Sequence, residues 1–272
     1  MMRRGVISIA AFLLTLVAAA GNPAGCSVND SVLLIGAGVK SIPAYAFKDR
    51  QDIREVRAAA PSSLRKIGEH AFLGCVNLRS VSLPATVSEL GTGCFRECSS
   101  LVEMDLPKGV VKIPSEIFYG CAALERVGMP AGVRTIGSRA FVYCGSLRDF
   151  TFPAALKNIG SNAFSFCGSL ERVELPSGIT ELESYAFSSC GSLRELTLPA
   201  NGSLLGELIL SGCEAMERVV EMSGKVPTFD CASFLFDPDD EAAYDRVTLH
   251  VAPGMADAYR KAPGWRLFKN ID

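Results

Sequence analysis

Histidine is nearly absent from this chain: His70 and His250 are the only two in 272 residues. A nucleophile–base pair or a histidine metal site would need them brought together, yet they stand towards opposite ends. The motifs G-x-S-x-G, H-E-x-x-H and G-x-x-x-x-G-K are missing too. Nothing in the sequence therefore points to an enzyme, a metal or a cofactor. Neither sign of charge prevails, with 27 Lys and Arg against 29 Asp and Glu. A net charge of −2 gives no whole-molecule field to attract nucleic acid or an anionic membrane. Beyond the first twenty residues no apolar run approaches the roughly 20 residues a membrane span needs. What the chain does have is apolar content, 49%, enough to bury a sizeable core.

The first twenty residues read as a leader. Arg3 and Arg4 precede an apolar run from Gly5 to Val17, broken only by Ser8 and Thr15, and Ala18 and Ala20 supply a small-x-small cleavage site. A retained N-terminal anchor helix is the alternative. Ala24 and Gly25 before Cys26 resemble the end of a bacterial lipoprotein site, although Pro23 stands where that pattern usually has Leu. Cys26 is thus a second candidate start, carrying a lipid. Either route makes the protein exported, to the cell surface, the outer membrane or the medium.

The cysteines reveal the architecture. Cys75, Cys98, Cys121, Cys144, Cys167, Cys190 and Cys213 follow at a constant spacing of 23. Three residues earlier stand Phe72, Phe95, Phe118, Phe141, Phe164 and Phe187, then Leu210; three residues later stand Leu78, Leu101, Leu124, Leu147, Leu170 and Leu193, then Met216. Pro84, Pro107, Pro130, Pro153, Pro176 and Pro199 repeat in step, as do Ile67, Leu90, Ile113, Ile136, Ile159, Leu182 and Leu205. Within one unit, Ala71, Phe72 and Cys75 fall at helical spacing, which predicts a short helical turn. Val81 and Leu83 alternate with Ser80 and Ser82 as in a strand with one buried face, and Pro84 ends it. One such unit cannot close a core, but stacked copies bury a continuous one. Strands about 4.8 Å apart would make eight turns a rod roughly 40 Å long.

The F-x-x-C-x-x-L core followed by aliphatic-x-aliphatic-Pro resembles the bacterial surface leucine-rich repeats called BspA-like. The ending from Val251 to Ile271 is similar to the closing segment of members from gut and oral Bacteroidetes, and similar repeats occur in parasitic protists. The resemblance implies an α/β repeat: a right-handed leucine-rich-repeat solenoid with short strands, helical turns and terminal caps. The expected organisation is a signal peptide over 1–20, a linker over 21–32, the array over 33–221 and a capping segment over 222–272. Ile42, Ala46, Phe47, Ile53 and Val56 form an earlier unit with two extra residues. Tyr244, Val247, Leu249, Val251, Tyr259, Trp265 and Phe268 are expected to cover the far end. Adhesion to host or neighbouring-cell macromolecules is the role the resemblance implies, with no catalytic motif to carry over.

Several residue patterns bear on function. A spacing of 23 is the solenoid period and not the close C-x-x-C pairing of a zinc site. Inward Cβ atoms about 4.8 Å apart are too distant for the usual disulfide. The cysteine column is therefore expected to be packed free thiols, Cys94 included, with Cys231 outside the register and Cys26 its obvious candidate partner. Before the strand, Ser80, Glu103, Arg126, Asp149, Arg172, Glu195 and Arg218 alternate in sign from Glu103 onward, predicting a self-neutralised charge ladder. Tyr119, Tyr143 and Phe166 lie between Phe and Cys of successive units and are the candidate ligand-binding residues. The expected partner is an extracellular protein or glycan, not nucleic acid, with membrane contact only through a lipid on Cys26, and the protein is expected to be a monomer. A purely structural envelope spacer is the alternative function. A carbohydrate-active enzyme would need an Asp/Glu pair about 5–9.5 Å apart in a cleft, which a rod gives no reason to expect.

Overall fold

Each repeat contributes a strand of three or four residues whose middle side chain is apolar and whose flanks are polar. In the computed structural model, which describes residues 22–201, 204–229 and 235–272, these strands stack in parallel and in register. The expected leader and Cys231 lie outside the described residues. The first ladder runs through Val32–Ile35, Glu55–Ala58, Ser80–Ser82, Glu103–Asp105 and Arg126–Gly128. It resumes through Arg172–Glu174, Glu195–Thr197, Arg218–Glu221, Thr248–Val251 and Asn270–Ile271. Burial follows the alternation: Val81, Met104, Val127, Val173, Leu196 and Val219 are inside, with polar neighbours outside.

A second ladder is made of two-residue strands, among them Lys66–Ile67 and Glu89–Leu90, then Thr135–Ile136, Asn158–Ile159 and Glu181–Leu182. Their aliphatic residues close another side of the core. The chain thereby forms a β-solenoid of about 10 turns. Glycine follows several of these strands because the turn before comes very close: a Cβ on Gly160 would lie 2.6 Å from the Ser138 backbone nitrogen.

The segment around each phenylalanine is not helical, which corrects the expected helical turn and the α/β description. His70 and Gly74 both adopt left-handed backbone, φ 51° and 70°, and the same two positions are left-handed in every following unit as far as Leu208 and Gly212. Two such residues four apart forbid a helical turn. The chain instead makes successive tight turns, with Leu73 N–H donating to His70 O (3.1 Å) and Cys75 N–H to Phe72 O (3.2 Å). Alternate residues are then free to bond sideways. Phe72 N–H donates to Cys94 O, Phe95 N–H to Ile117 O and Phe118 N–H to Ala140 O, at 2.9, 3.1 and 2.9 Å. This is a third ladder, invisible to any strand pattern in the sequence. Among the described residues the α-helices are α1 (Glu241–Arg246) and α2 (Ala256–Lys261), both in the C-terminal segment. No described helix is long and apolar enough to cross a membrane.

Behind the third ladder the phenylalanine rings stack face to face, from Phe47 on Phe72 (5.2 Å between centroids) through Phe141 on Phe164 (4.9 Å) to Phe164 on Phe187 (5.3 Å). Beside them the thiols are free and buried, Cys94 included. Each column thiol also has a hydrogen bond. Sγ of Cys75, Cys121 and Cys190 donates to the carbonyl of Phe47, Phe95 and Phe164 at 3.0, 3.2 and 3.2 Å, 28 residues back across the longer first unit and 26 back in the others. The phenylalanine carbonyl already accepts a backbone N–H from its own turn, so the thiol uses its second lone pair. Burial pushes the Cys75 and Cys121 thiols up to about 12.

At the N-terminal end Cys26–Asn29 pairs antiparallel with Val32–Ile35, so part of the stretch expected as linker is sheet. Asp30 and Ser31, both left-handed, make the tight reversal. At the other end Tyr244, Val247, Leu249, Val251, Tyr259, Trp265 and Phe268 are all buried. Their polar tips are satisfied: Tyr244 OH donates to Phe236 O (3.1 Å), Trp265 Nε1–H to Pro227 O (3.1 Å), and Tyr259 OH to the fully buried Glu221 carboxylate. Burial pushes both phenols well above their ordinary range.

Candidate binding surface

The third ladder fixes where the exposed aromatic residues stand. Side chains at one position of successive turns are brought about one strand spacing apart, and here the three candidate rings meet. Tyr143 and Phe166 stack at 4.7 Å with an interplanar angle of 26°. Tyr119, one position earlier in its turn, meets Tyr143 edge-on at 5.6 Å and 84°. The row extends one turn further, because the Arg96 guanidinium lies 4.1 Å above the Tyr119 ring. Tyr143 and Phe166 are 46% and 45% exposed, large values for rings that already cover each other. Beside the row, Arg96 also pairs with Glu97 and Glu116, and Arg139 reaches Glu116 at 3.7 Å. The result is an apolar strip with a charged, internally neutralised border.

Backbone geometry sets these two rings apart. Their shared position is left-handed in every turn, and glycine occupies it at Gly74, Gly120 and Gly212. Tyr143 and Phe166 adopt φ 61° and 62° there. For a bulky side chain this region is strained by about 1 kcal/mol or more. Tyr45, stacked on His70 at 5.2 Å and 52% exposed, is a further surface ring on the first turn. It stands at the earlier of the two left-handed positions, the one His70 holds in the next turn, and so lies outside the column of Tyr143 and Phe166.

The strand side is electrostatically quieter, as expected, but less regular. Arg126 binds Glu103 and Asp105, both at 2.8 Å, and Glu195 is shared between Arg172 (3.7 Å) and Arg218 (3.4 Å). Asp149, expected between two arginines, forms no ion pair among the described residues. The reason is local: its turn carries Phe150 and Phe152 where others carry aliphatic pairs such as Val173 and Leu175, and only a single bridge to Arg126 survives. A second alternating column, Glu125, Arg148, Glu171, Arg194 and Glu217, runs alongside; Arg194 and Glu217 pair at 2.7 Å. The two histidines stay apart, one on the third ladder and one in the strand Thr248–Val251 beside Asp272.

These features match a known repeat. The BspA type leucine rich repeat region matches in 6 copies over residues 24–148 and 111–235. The chain belongs to this family. No curated protein sequence matches the BspA-type chain. Among solved structures, a leucine-rich repeat protein from Bacteroides ovatus is similar at 18% identity and TM-score 0.52, covering 84% of this chain and 75% of that one. The T. pallidum leucine rich repeat protein is 24% identical, TM-score 0.45, with 75% and 79% covered. A leucine rich cell surface protein from Faecalibacterium prausnitzii is 20% identical, TM-score 0.43, with 72% and 73% covered. Repeat folds of this family are binding scaffolds as a class, so exposed departures from the repeat are where the BspA-type chain carries individuality.

Proposed function

We propose that this protein is a non-enzymatic adhesion or binding module of the cell surface that engages an extracellular protein partner along Arg96, Tyr119, Tyr143 and Phe166. One observation carries the reading: two bulky aromatic residues on neighbouring turns occupy a left-handed position that is glycine in three other turns and small or charged in the rest, and nearly half of each is exposed. Such strain has no return in core packing, whereas aromatic residues ringed by polar groups dominate protein-binding hot spots. Tyr143 and Phe166 spend a face on each other, and a strip of apolar rings bordered by charged groups suits the mixed apolar and carbonyl groups of a polypeptide. The charge-neutral strand side supports the same choice.

Export through the 1–20 leader fits this role, with maturation after Ala20 the favoured start. Asn22 accepts a hydrogen bond from Arg50 (2.9 Å), and Gly25 O accepts one from Gly36 N–H (2.8 Å). Cleavage before Cys26 would remove both contacts. Cys26 itself is half-buried at the start of the outermost strand, and mass analysis of the native N-terminus decides between the two starts.

The test of function is a surface-plasmon-resonance panel of purified matrix and cell-surface proteins against the wild type and Tyr143→Gly/Phe166→Gly. Glycine suits the left-handed position, so the variant keeps the fold. A partner bound by the wild type and at least about 30-fold more weakly by the variant, roughly 2 kcal/mol, supports the strip. A partner bound equally by both places recognition elsewhere.

A further inference from the structure

One turn of the solenoid departs from the rest on its strand side, and a cavity opens there. The parallel ladder ends at Gly128 and resumes at Arg172, with Asp149–Phe152 between them joined only by the bridge to Arg126. In regular turns the residue after the strand donates to the next turn, as Leu106, Leu175 and Leu198 do at 2.9, 3.1 and 2.8 Å. Among the described residues, the corresponding N–H groups of Leu83, Met129 and Phe152 have no such partner, and of these turns only that of Phe152 also lacks the strand itself. The aromatic pair is the cause. Phe150 and Phe152 wedge edge-on against Phe164 at 4.8 and 5.4 Å, and Phe150 also against Phe141, so the turn is held by ring packing in place of the ladder.

The gap this leaves has a volume of about 350 Å³ and is lined by Phe150, Thr151, Phe152, Arg172, Glu174 and Leu175, with Ala154 and Pro176 at its margin. That size is at the small end for ligand pockets and fits one ring-sized group. Its floor is aromatic, and its rim holds a hydroxyl, a guanidinium and a carboxylate on exposed positions. The two rim charges are opposite, so the site favours neither an anion nor a cation. The unmet backbone N–H of Phe152 adds a polar group for a ligand to satisfy.

We propose that this gap binds a neutral sugar ring, a single hexopyranose unit at the end or along the side of a glycan. Such a ring presents an apolar C–H face to Phe150 and Phe152 and hydroxyls around its edge to Thr151, Arg172, Glu174 and the free N–H. An aromatic side chain of similar size would bring at most one polar group and leave the rim unmet. The site lies on the strand ladder, apart from the aromatic strip, so its failure and the failure of the protein-binding reading are separate results.

The experiment is saturation-transfer-difference NMR of the mature protein with methyl glucoside, methyl galactoside, methyl mannoside, N-acetylglucosamine and, as the rival chemistry, N-acetyltyrosinamide. Phe150→Val/Phe152→Leu rebuilds the pair found at Val173 and Leu175, and Arg172→Ala/Glu174→Ala removes two exposed side chains and leaves the core intact. At least one neutral glycoside is expected to bind, and at least tenfold more weakly to each variant. Thermal melts establish that both variants are folded. Lack of binding by every glycoside at 20 mM would overturn the proposal. So would preference for N-acetyltyrosinamide, or a folded variant of either kind that binds glycoside as well as the wild type.

Discussion

The buried columns and the exposed columns of this solenoid obey different rules. Inside, Phe and Cys recur at one interval from Phe72 to Cys190 without exception, each ring lying on the next and each thiol meeting the carbonyl of the preceding turn. Outside, the position between them runs through Gly74, Glu97, Gly120, Tyr143, Phe166, Ser189 and Gly212 with no repetition. A side chain in the core touches equivalents above and below, so one change is felt by two neighbours and the column stays uniform. A surface side chain answers to whatever it meets. The lesson is that repetition reports the scaffold, and breaks in repetition report where a side chain is free of its neighbours above and below.

The sharpest way to break that contrast is to damage the core column at its middle. Phe141→Ala removes a ring that stacks on Phe118 and Phe164 and also supports Phe150 edge-on. Urea denaturation is expected to show a loss of about 3–5 kcal/mol. If the loss is under 1 kcal/mol, the ring stack is not what holds the turns together. A smaller effect separates thiol from ring. Cys144→Ala deletes the sulfur that donates to Phe118 O at 3.1 Å and leaves a small void, for an expected cost of about 1–2 kcal/mol.

The same column predicts an alkaline weakness. Burial holds the Cys75 and Cys121 thiols up at about 12 against an ordinary value of 9.0. The unfolded chain therefore releases these protons first, and stability falls as pH rises above about 9, up to the folded value. Each fully contributing thiol tilts the curve by about 1.4 kcal/mol per pH unit. Urea midpoints between pH 8 and pH 10.5 should fall, and fall less in Cys121→Ala. A flat profile would mean the thiols already ionise in the native state, as would rapid alkylation of the folded protein near pH 8.

Much of this was readable in the sequence, and the misreadings have physical causes. Phe72 and Cys75 at three-residue spacing do face one way, but tandem tight turns and a helix share that spacing. The deciding left-handed residues are disguised, since His70, Glu116, Arg139 and Asn162 carry no mark of their conformation where glycine would. The thiol hydrogen bond was out of reach because spacing gives a neighbour's position but not its spare lone pair. Cys26 to Asn29 was too short a segment to read as strand before its turn at Asp30 and Ser31 was known. The three rings at Tyr119, Tyr143 and Phe166 were legible as neighbours. The stacking of Tyr143 on Phe166, the edge-on contact of Tyr119 and the Arg96 guanidinium over it were not, because all depend on the extra ladder.

On the exposed side, stability effects should be small. Tyr143→Gly/Phe166→Gly loses a stacked pair, about 0.5–1.5 kcal/mol, and recovers backbone strain of similar size. Calorimetry is expected to place its midpoint within a few degrees of the wild type. A large drop would show that the strip is structural after all, and the contrast between core and surface would fail at its most important place.

The smallest expected effect concerns the charge ladder, and it distinguishes two neighbouring turns. Arg126 is held by two carboxylates, Glu103 and Asp105, whereas Asp149 one turn away has no ionic partner among the described residues. All three paired groups are about half exposed or more, so solvent and salt screen the interaction and the pair is worth less than about 1 kcal/mol. Arg126→Ala should therefore lower stability by a few tenths of a kcal/mol at low salt, and the difference should vanish in 1 M NaCl. Asp149→Ala should change nothing at either salt, because the turn that carries it has left the ladder. Equal, salt-sensitive losses in both variants would show that the alternating column acts as one continuous network, and that the break at Phe150 does not isolate Asp149 from its neighbours.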